Sequence, residues 1–173
     1  MGEAIPVAQF FVANGMLTEE EFLEKFKGAF LLTSHQGTPP MLYELSLNED
    51  VNTTIGQDED NNDIDFNDPT LDEQHAIVSY HTGFRGWTIE DLGTSFGTNV
   101  DGDRIGNNKA TLLQDRVVIN PGGGLTQLQF YLAKTLYDRM HKAGVTKSLR
   151  RKQGLDAQKK DAGKAGEKEE EKD

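Results

Sequence analysis

The hydrophobic pattern divides the chain into a short helical start, a long stretch of strands and a helical close. Val7, Phe10 and Phe11 stand at i, i+3 and i+4, and Asn14-Gly15 supplies a stop, which predicts a first short helix. Thr18-Glu19-Glu20-Glu21 reads as a capping box opening a second helix, in which Thr18 accepts from a backbone N–H and Glu21 reaches back. Phe22, Leu23 and Phe26 then line one stripe. Such a stripe either packs on the body of the protein or serves as a docking helix for a partner, and the sequence leaves both open.

From Ala29 the period shortens. Phe30–Thr33 precedes a Gly37-Thr38-Pro39-Pro40 turn, and Met41–Leu47 alternates apolar and polar as a half-buried strand does. Short strands follow between Gly, Asn and Asp breaks, at Thr53–Gly56, Ile64–Phe66, Ala76–Tyr80, Trp87–Asp91, Thr98–Val100 and a broken Thr111–Asn120. Asp101-Gly102 carries a hairpin-turn signal. Leu125–Tyr131 is the expected last strand. Leu132, Leu136 and Met140, four apart, predict a closing helix ended by Gly144. The pattern predicts an all-β sandwich flanked by short helices. It divides the chain into a helical extension over 1–27, a sandwich over 29–131, a helix over 132–144 and a charged tail over 145–173. Residues 159–173 hold no large apolar side chain and are expected to be disordered.

The chain has 173 residues, enough for one domain, and 35% hydrophobic residues with 18 glycines suits a globular body. Its net charge is −11, from 18 basic and 29 acidic residues. The acid is concentrated before His141; the tail beyond it is mildly basic. An acidic body disfavours nucleic acid and anionic membrane as partners. With no cysteine there is no disulfide, thiolate metal site or cysteine nucleophile. No apolar run approaches the ~18 residues of a membrane span, and Pro6 and Gln9 interrupt the first apolar stretch. A cytoplasmic protein is expected.

Candidate chemistry is sparse. Asp58–Asp65 resembles a calcium loop, but the obligatory glycine is Asp63 and the closing glutamate is Pro69. Gly122-Gly123-Gly124 lacks the Lys-Ser/Thr of a phosphate-cradling loop. His35, His75, His81 and His141 show no metal-ligand spacing. No serine sits in a nucleophile elbow. Neither an enzyme nor a cofactor is expected.

One ordered set of motifs is specific. Thr54-Ile55-Gly56-Gln57, Asn62-Asp63-Ile64, Asp68 through Ala76 and Trp87 through Gly102 fall in the order and spacing of a forkhead-associated (FHA) domain, and Asp115 before Val117-Val118-Ile119 resembles its penultimate strand. The resemblance spans roughly residues 29–131. It implies an eleven-stranded β-sandwich whose loops at one end bind a partner protein, typically through phosphothreonine. It also implies framework roles for Gly56, at a sharp backbone turn, for His75, tying loops together, and for Gly97, shaping the loop before the next strand.

The departures from the family pattern fall on the binding positions. The usual arginine is Gln57, the phosphate-contacting serine is Asp72, the basic residue after it is Glu73, and the asparagine before Gly97-Thr98 is Phe96. A carboxylate ~5 Å from phosphate at an effective dielectric of ~20 repels each unit of its charge by about 3 kcal/mol before screening. Gln57 offers no bidentate cation in return. The expectation is a degenerate site formed by Gln57, Asp72, Glu73, Phe96, Thr98 and Asn99 that binds a protein partner without phosphate. The alternative is a phosphothreonine reader with an unconventional site, using Thr94, Ser95 and Thr98 as donors and Arg85 as substitute cation. The oligomeric state stays open.

Overall fold

A computed structural model describes residues 3–142; the expected tail over 145–173 and the Gly144 stop lie outside the described residues. The sandwich rests on residues buried from both sides. The strand β2 (Ala29–His35) runs Phe30-Leu31-Leu32, with Leu31 turned toward the second sheet and Phe30 toward the helices. A strand covered on both faces reads as a continuous apolar run and not as an alternation. Phe130-Tyr131 on β12 (Thr126–Leu132) repeats the arrangement, paired in register with β2 from Thr126↔His35 to Leu132↔Ala29.

The first sheet has the order β1-β3-β2-β12-β11-β8-β9, where β1 is Ile5–Pro6, β3 Met41–Leu45, β8 Thr98–Val100, β9 Asp103–Arg104 and β11 Val118–Pro121. The second has the order β10-β7-β6-β4-β5, with β4 Asn52–Gly56, β5 Ile64–Asp65, β6 Ala76–His81, β7 Gly86–Asp91 and β10 Thr111–Leu112. Of these neighbours only β4 and β5 run parallel. Between the sheets lie Leu31, Tyr43, Ile55, Val78, Trp87, Ile89, Ile119, Leu128 and Phe130. Trp87 gives its ring to this core and donates its indole N–H to the Ser46 carbonyl at 3.1 Å, so its one polar atom is satisfied.

A second core forms on the outer face of the first sheet. The helix α1 (Val7–Asn14) ends at Gly15, and α2 (Glu19–Lys25) opens with the full Thr18/Glu21 capping box. Phe10, Phe22 and Phe26 pack on Phe30, with ring centroids 4.8–5.4 Å apart between Phe22 and Phe26, Phe10 and Phe26, and Phe26 and Phe30. Leu136 and Met140 of α3 (Ala133–Lys142) close the cluster. The α2 stripe thus packs on the body: Phe22 is fully buried. Two elements escape the sequence pattern, β1 and β9, each two residues long and too short to carry a period. No helix among the described residues is long and apolar enough to cross a membrane.

Candidate functional site

Four connections meet at one end of the sandwich: the segment after β4, the long β5–β6 loop, the β7–β8 loop and the β11–β12 turn, whose Gly122 N–H donates to the Gly97 carbonyl at 2.9 Å. They are pinned from beneath by three buried polar residues. His75 is fully buried; the Asp72 backbone N–H donates to its Nδ1 at 3.1 Å, so the other nitrogen carries the proton and donates to the Gly97 carbonyl at 2.9 Å. Asp91 is equally buried and accepts from the Gly93 and Thr94 N–H groups and from the Thr94 and Thr98 hydroxyls. Burial pushes its carboxyl pKa up, but these donors outweigh it and hold the pKa below the ordinary value. Asp68 repeats the device: it accepts from the Thr70 N–H and hydroxyl and from the Thr126 hydroxyl, which again lower its pKa against the opposing effect of burial.

Two glycine positions are explained by close approach. A Cβ on Gly56 would lie 2.2 Å from the Glu73 carbonyl oxygen, with the Asn62 amide also within 3 Å. The chain bends directly after Gly56, at Gln57, but Gly56 itself does not have positive φ; what the missing side chain provides is contact between β4 and the β5–β6 loop. The Gly122-Gly123 backbone fits around Thr70, whose hydroxyl accepts from the Gly123 N–H at 2.7 Å. The triple glycine is thus a packing device that ties β11–β12 to the same loop.

On this platform the predicted residues divide. Gln57 and Asp72 are adjacent, the Gln57 N–H donating to the Asp72 carbonyl at 3.0 Å; the next N–H, of Asp58, donates to the Glu73 carbonyl at 3.3 Å. The Asp72 carboxylate accepts from the Ser95 N–H at 3.4 Å, beside Phe96, whose ring is 57% exposed. Thr98 departs from expectation: it is 1% exposed and its hydroxyl serves Asp91, so it supports the loop from inside. Asn99 is half-buried in β8, paired with Arg104 on one side and Asn120 on the other.

The largest departure is Arg104. The Asp101-Gly102 turn, with φ of 50° and 86°, folds β9 back on β8 and sets Arg104 opposite Asn99. Its guanidinium lies over Gly97, where an added Cβ would meet Nε at 2.6 Å. Gly97 itself holds φ +74°. Arg104 has no ion-pair partner among the described residues. The expectation of a loop cluster without a cation is corrected: Asp72 meets the β7–β8 loop at Ser95, and Arg104 meets it at Gly97. The signal was present, since a two-residue turn after β8 brings the second residue beyond it back alongside the strand. Arg85, the substitute cation weighed from sequence, sits in the β6–β7 turn at the other end of both strands. Six residues of β6 at ~3.3 Å each separate it from the loop cluster by roughly 20 Å.

The family model of the FHA domain, a protein-interaction module, matches residues 53–122 of the chain. Among solved structures, the FHA domain of the CT664 protein from Chlamydia trachomatis is similar with a TM-score of 0.52 at 22% identity, over 61% of this chain and 97% of that one. The N-terminal FHA domain of Rad53p from S. cerevisiae, in complex with a phosphothreonine peptide, is similar with a TM-score of 0.52 at 16% identity, over 64% and 98%. Full-length yeast Pml1p reaches 0.53 at 15% identity, over 68% and 95%. These likenesses concern the fold. No match is found among curated proteins.

Proposed function

We propose that the protein binds a partner protein through the loop face that carries Phe96, and that this binding does not require phosphothreonine. The observation that carries the proposal is Asp72. Its carboxylate stands where the family resemblance expects a phosphate-contacting hydroxyl, and it already takes the Ser95 N–H. A phosphoryl group entering between Gln57 and Asp72 meets a fixed anion and a neutral amide in place of a cation and a donor, and Glu73 adds a second carboxylate. Phe96 offers the desolvating anchor that interaction hot spots favour. The excess of carboxylate suits a neutral or basic partner segment.

One observation favours a second possibility: Arg104, which lies over Gly97 and has no ion-pair partner among the described residues, is a cation that a phosphorylated peptide would seek. The experiment separating the two titrates a phosphothreonine peptide library and its unphosphorylated counterpart against the protein by fluorescence anisotropy. Phosphate-independent binding predicts equal affinity for both forms, and loss of partner capture with Phe96→Ala combined with Asp72→Lys. Binding that vanishes on dephosphorylation and on Arg104→Ala overturns it.

A further inference from the structure

The end of the sandwich opposite the loop cluster carries a groove of about 360 Å³ between α2, the end of β12 and the β6–β7 turn. Its apolar wall includes Trp87, Tyr80, Leu47 and Leu132, the two leucines being 41% and 40% exposed. The only charged side chains lining it among the described residues are Lys27 and Arg85. Neither has an ion-pair partner among those residues. Glu49 also stands at this end, but its carboxylate is committed to the Thr82 N–H and hydroxyl. In a chain of net charge −11, a groove lined by cations and no carboxylate is a local inversion of sign.

The opposite face has the complementary character. There an exposed Phe96 stands among carboxylates, Asp72 and Glu73 outnumbering Arg104. We propose that the groove receives the Phe96 loop of a second copy of this chain. Phe96 enters against Leu47, Leu132 and Trp87, while Lys27 and Arg85 face Asp72 and Glu73. Because the two surfaces lie at opposite ends of the same sandwich, the contact is heterologous, and each copy added leaves one loop face and one groove free. This inference rests on the loop face being an interaction surface and names its partner.

Sedimentation of the full chain tests it through complementation. The wild type is expected to gain average mass with concentration, without a plateau at the dimer, and to lose that gain as salt screens the charges. Phe96→Ala, which damages the loop face, and Lys27→Glu/Arg85→Glu, which damages the groove, are each expected to weaken self-association by more than about tenfold. Both alter exposed positions, and unchanged thermal unfolding verifies their folding. Mixed in equal amounts, the two variants retain one intact loop face and one intact groove and are expected to form a dimer and nothing larger. A wild type that stays monomeric at its highest soluble concentration, a closed dimer, or a mixture that does not associate overturns the inference. Any of these leaves phosphate-independent partner binding standing; unchanged partner capture by the Phe96→Ala/Asp72→Lys variant overturns that as well.

Discussion

His75 joins two loops through a single ring: its Nδ1 accepts from the Asp72 N–H and its Nε2–H donates to the Gly97 carbonyl. Asp72 and Phe96, the two residues proposed to carry the binding face, are thus positioned by the backbone on either side of one buried histidine. Replacing it by alanine leaves the Asp72 N–H unpaired, leaves the Gly97 carbonyl with the Gly122 N–H as its one remaining backbone donor, and opens a cavity. His75→Ala is expected to lose about 2–4 kcal/mol of unfolding free energy by chemical denaturation. His75→Gln, which keeps both a donor and an acceptor, is expected to recover part of it.

Gly97 faces two separate obstacles to a side chain, and a double substitution resolves them. Its φ of +74° is strained for any L-residue, and Arg104 occupies the space a Cβ needs. Gly97→Ala in the native background is expected to cost more than the roughly 1–2 kcal/mol of the backbone conformation alone. In an Arg104→Ala background the steric part disappears and only the backbone cost remains. Equal losses in the two backgrounds would show that the arginine does not lie over this glycine.

The strands and helices were legible because their spacing reports burial directly: the capping box at Thr18 and Glu21 and the apolar run of β2 fold as their pattern predicts, and Leu136 and Met140 are buried in α3, whereas Leu132, expected to open that helix, ends β12. The FHA framework was legible from four ordered motifs. The site was legible in part. Asp72 and Phe96 reach the loop surface, but Thr98 turns inward because the polar atoms beneath the loop, above all Asp91, need donors. Hydrogen-bond demand of that kind leaves no periodic trace. Arg104 was missed because β9 is two residues long and its neighbour Gly97 is nearby only after the hairpin closes. Arg85 was misplaced because loop residues close in sequence to a motif can stand at the far end of the strands that carry it.

Stability is expected to fall in acid through Asp68 and Asp91. Both have folded pKa values below their ordinary 3.8, held there by hydrogen bonds that outweigh the effect of burial. A depressed carboxyl pKa stabilises the folded state fully above the unfolded value, and this contribution is lost as pH drops through the folded one. These two groups therefore predict a flat contribution from neutral pH to about pH 5 and a decline below about pH 4. Asp91→Asn is expected to be less stable by about 2–3 kcal/mol at neutral pH, because an amide cannot accept from four donors. Its acid limb is expected to be shallower than that of the wild type. An identical acid limb in both proteins would remove Asp91 from the account.

The N-terminal helices test whether the second core belongs to the folding unit. Phe22 is fully buried between Phe10, Phe26 and Tyr137, and α2 depends on its capping box. Phe22→Ala is expected to destabilise the whole chain by about 3–5 kcal/mol in a single cooperative transition. Thr18→Ala, which removes one cap, is expected to cost about 1 kcal/mol. Removing residues 1–27 would uncover Phe30, Leu42 and Tyr131 on the outer face of the first sheet, so the truncated protein is expected to be less stable and to bind a hydrophobic dye. A truncated chain that unfolds at the wild-type midpoint while losing partner capture would instead make the helices a docking element. The burial of Phe10, Phe26 and Phe30, whose rings meet edge-on or tilted, argues for the packing role.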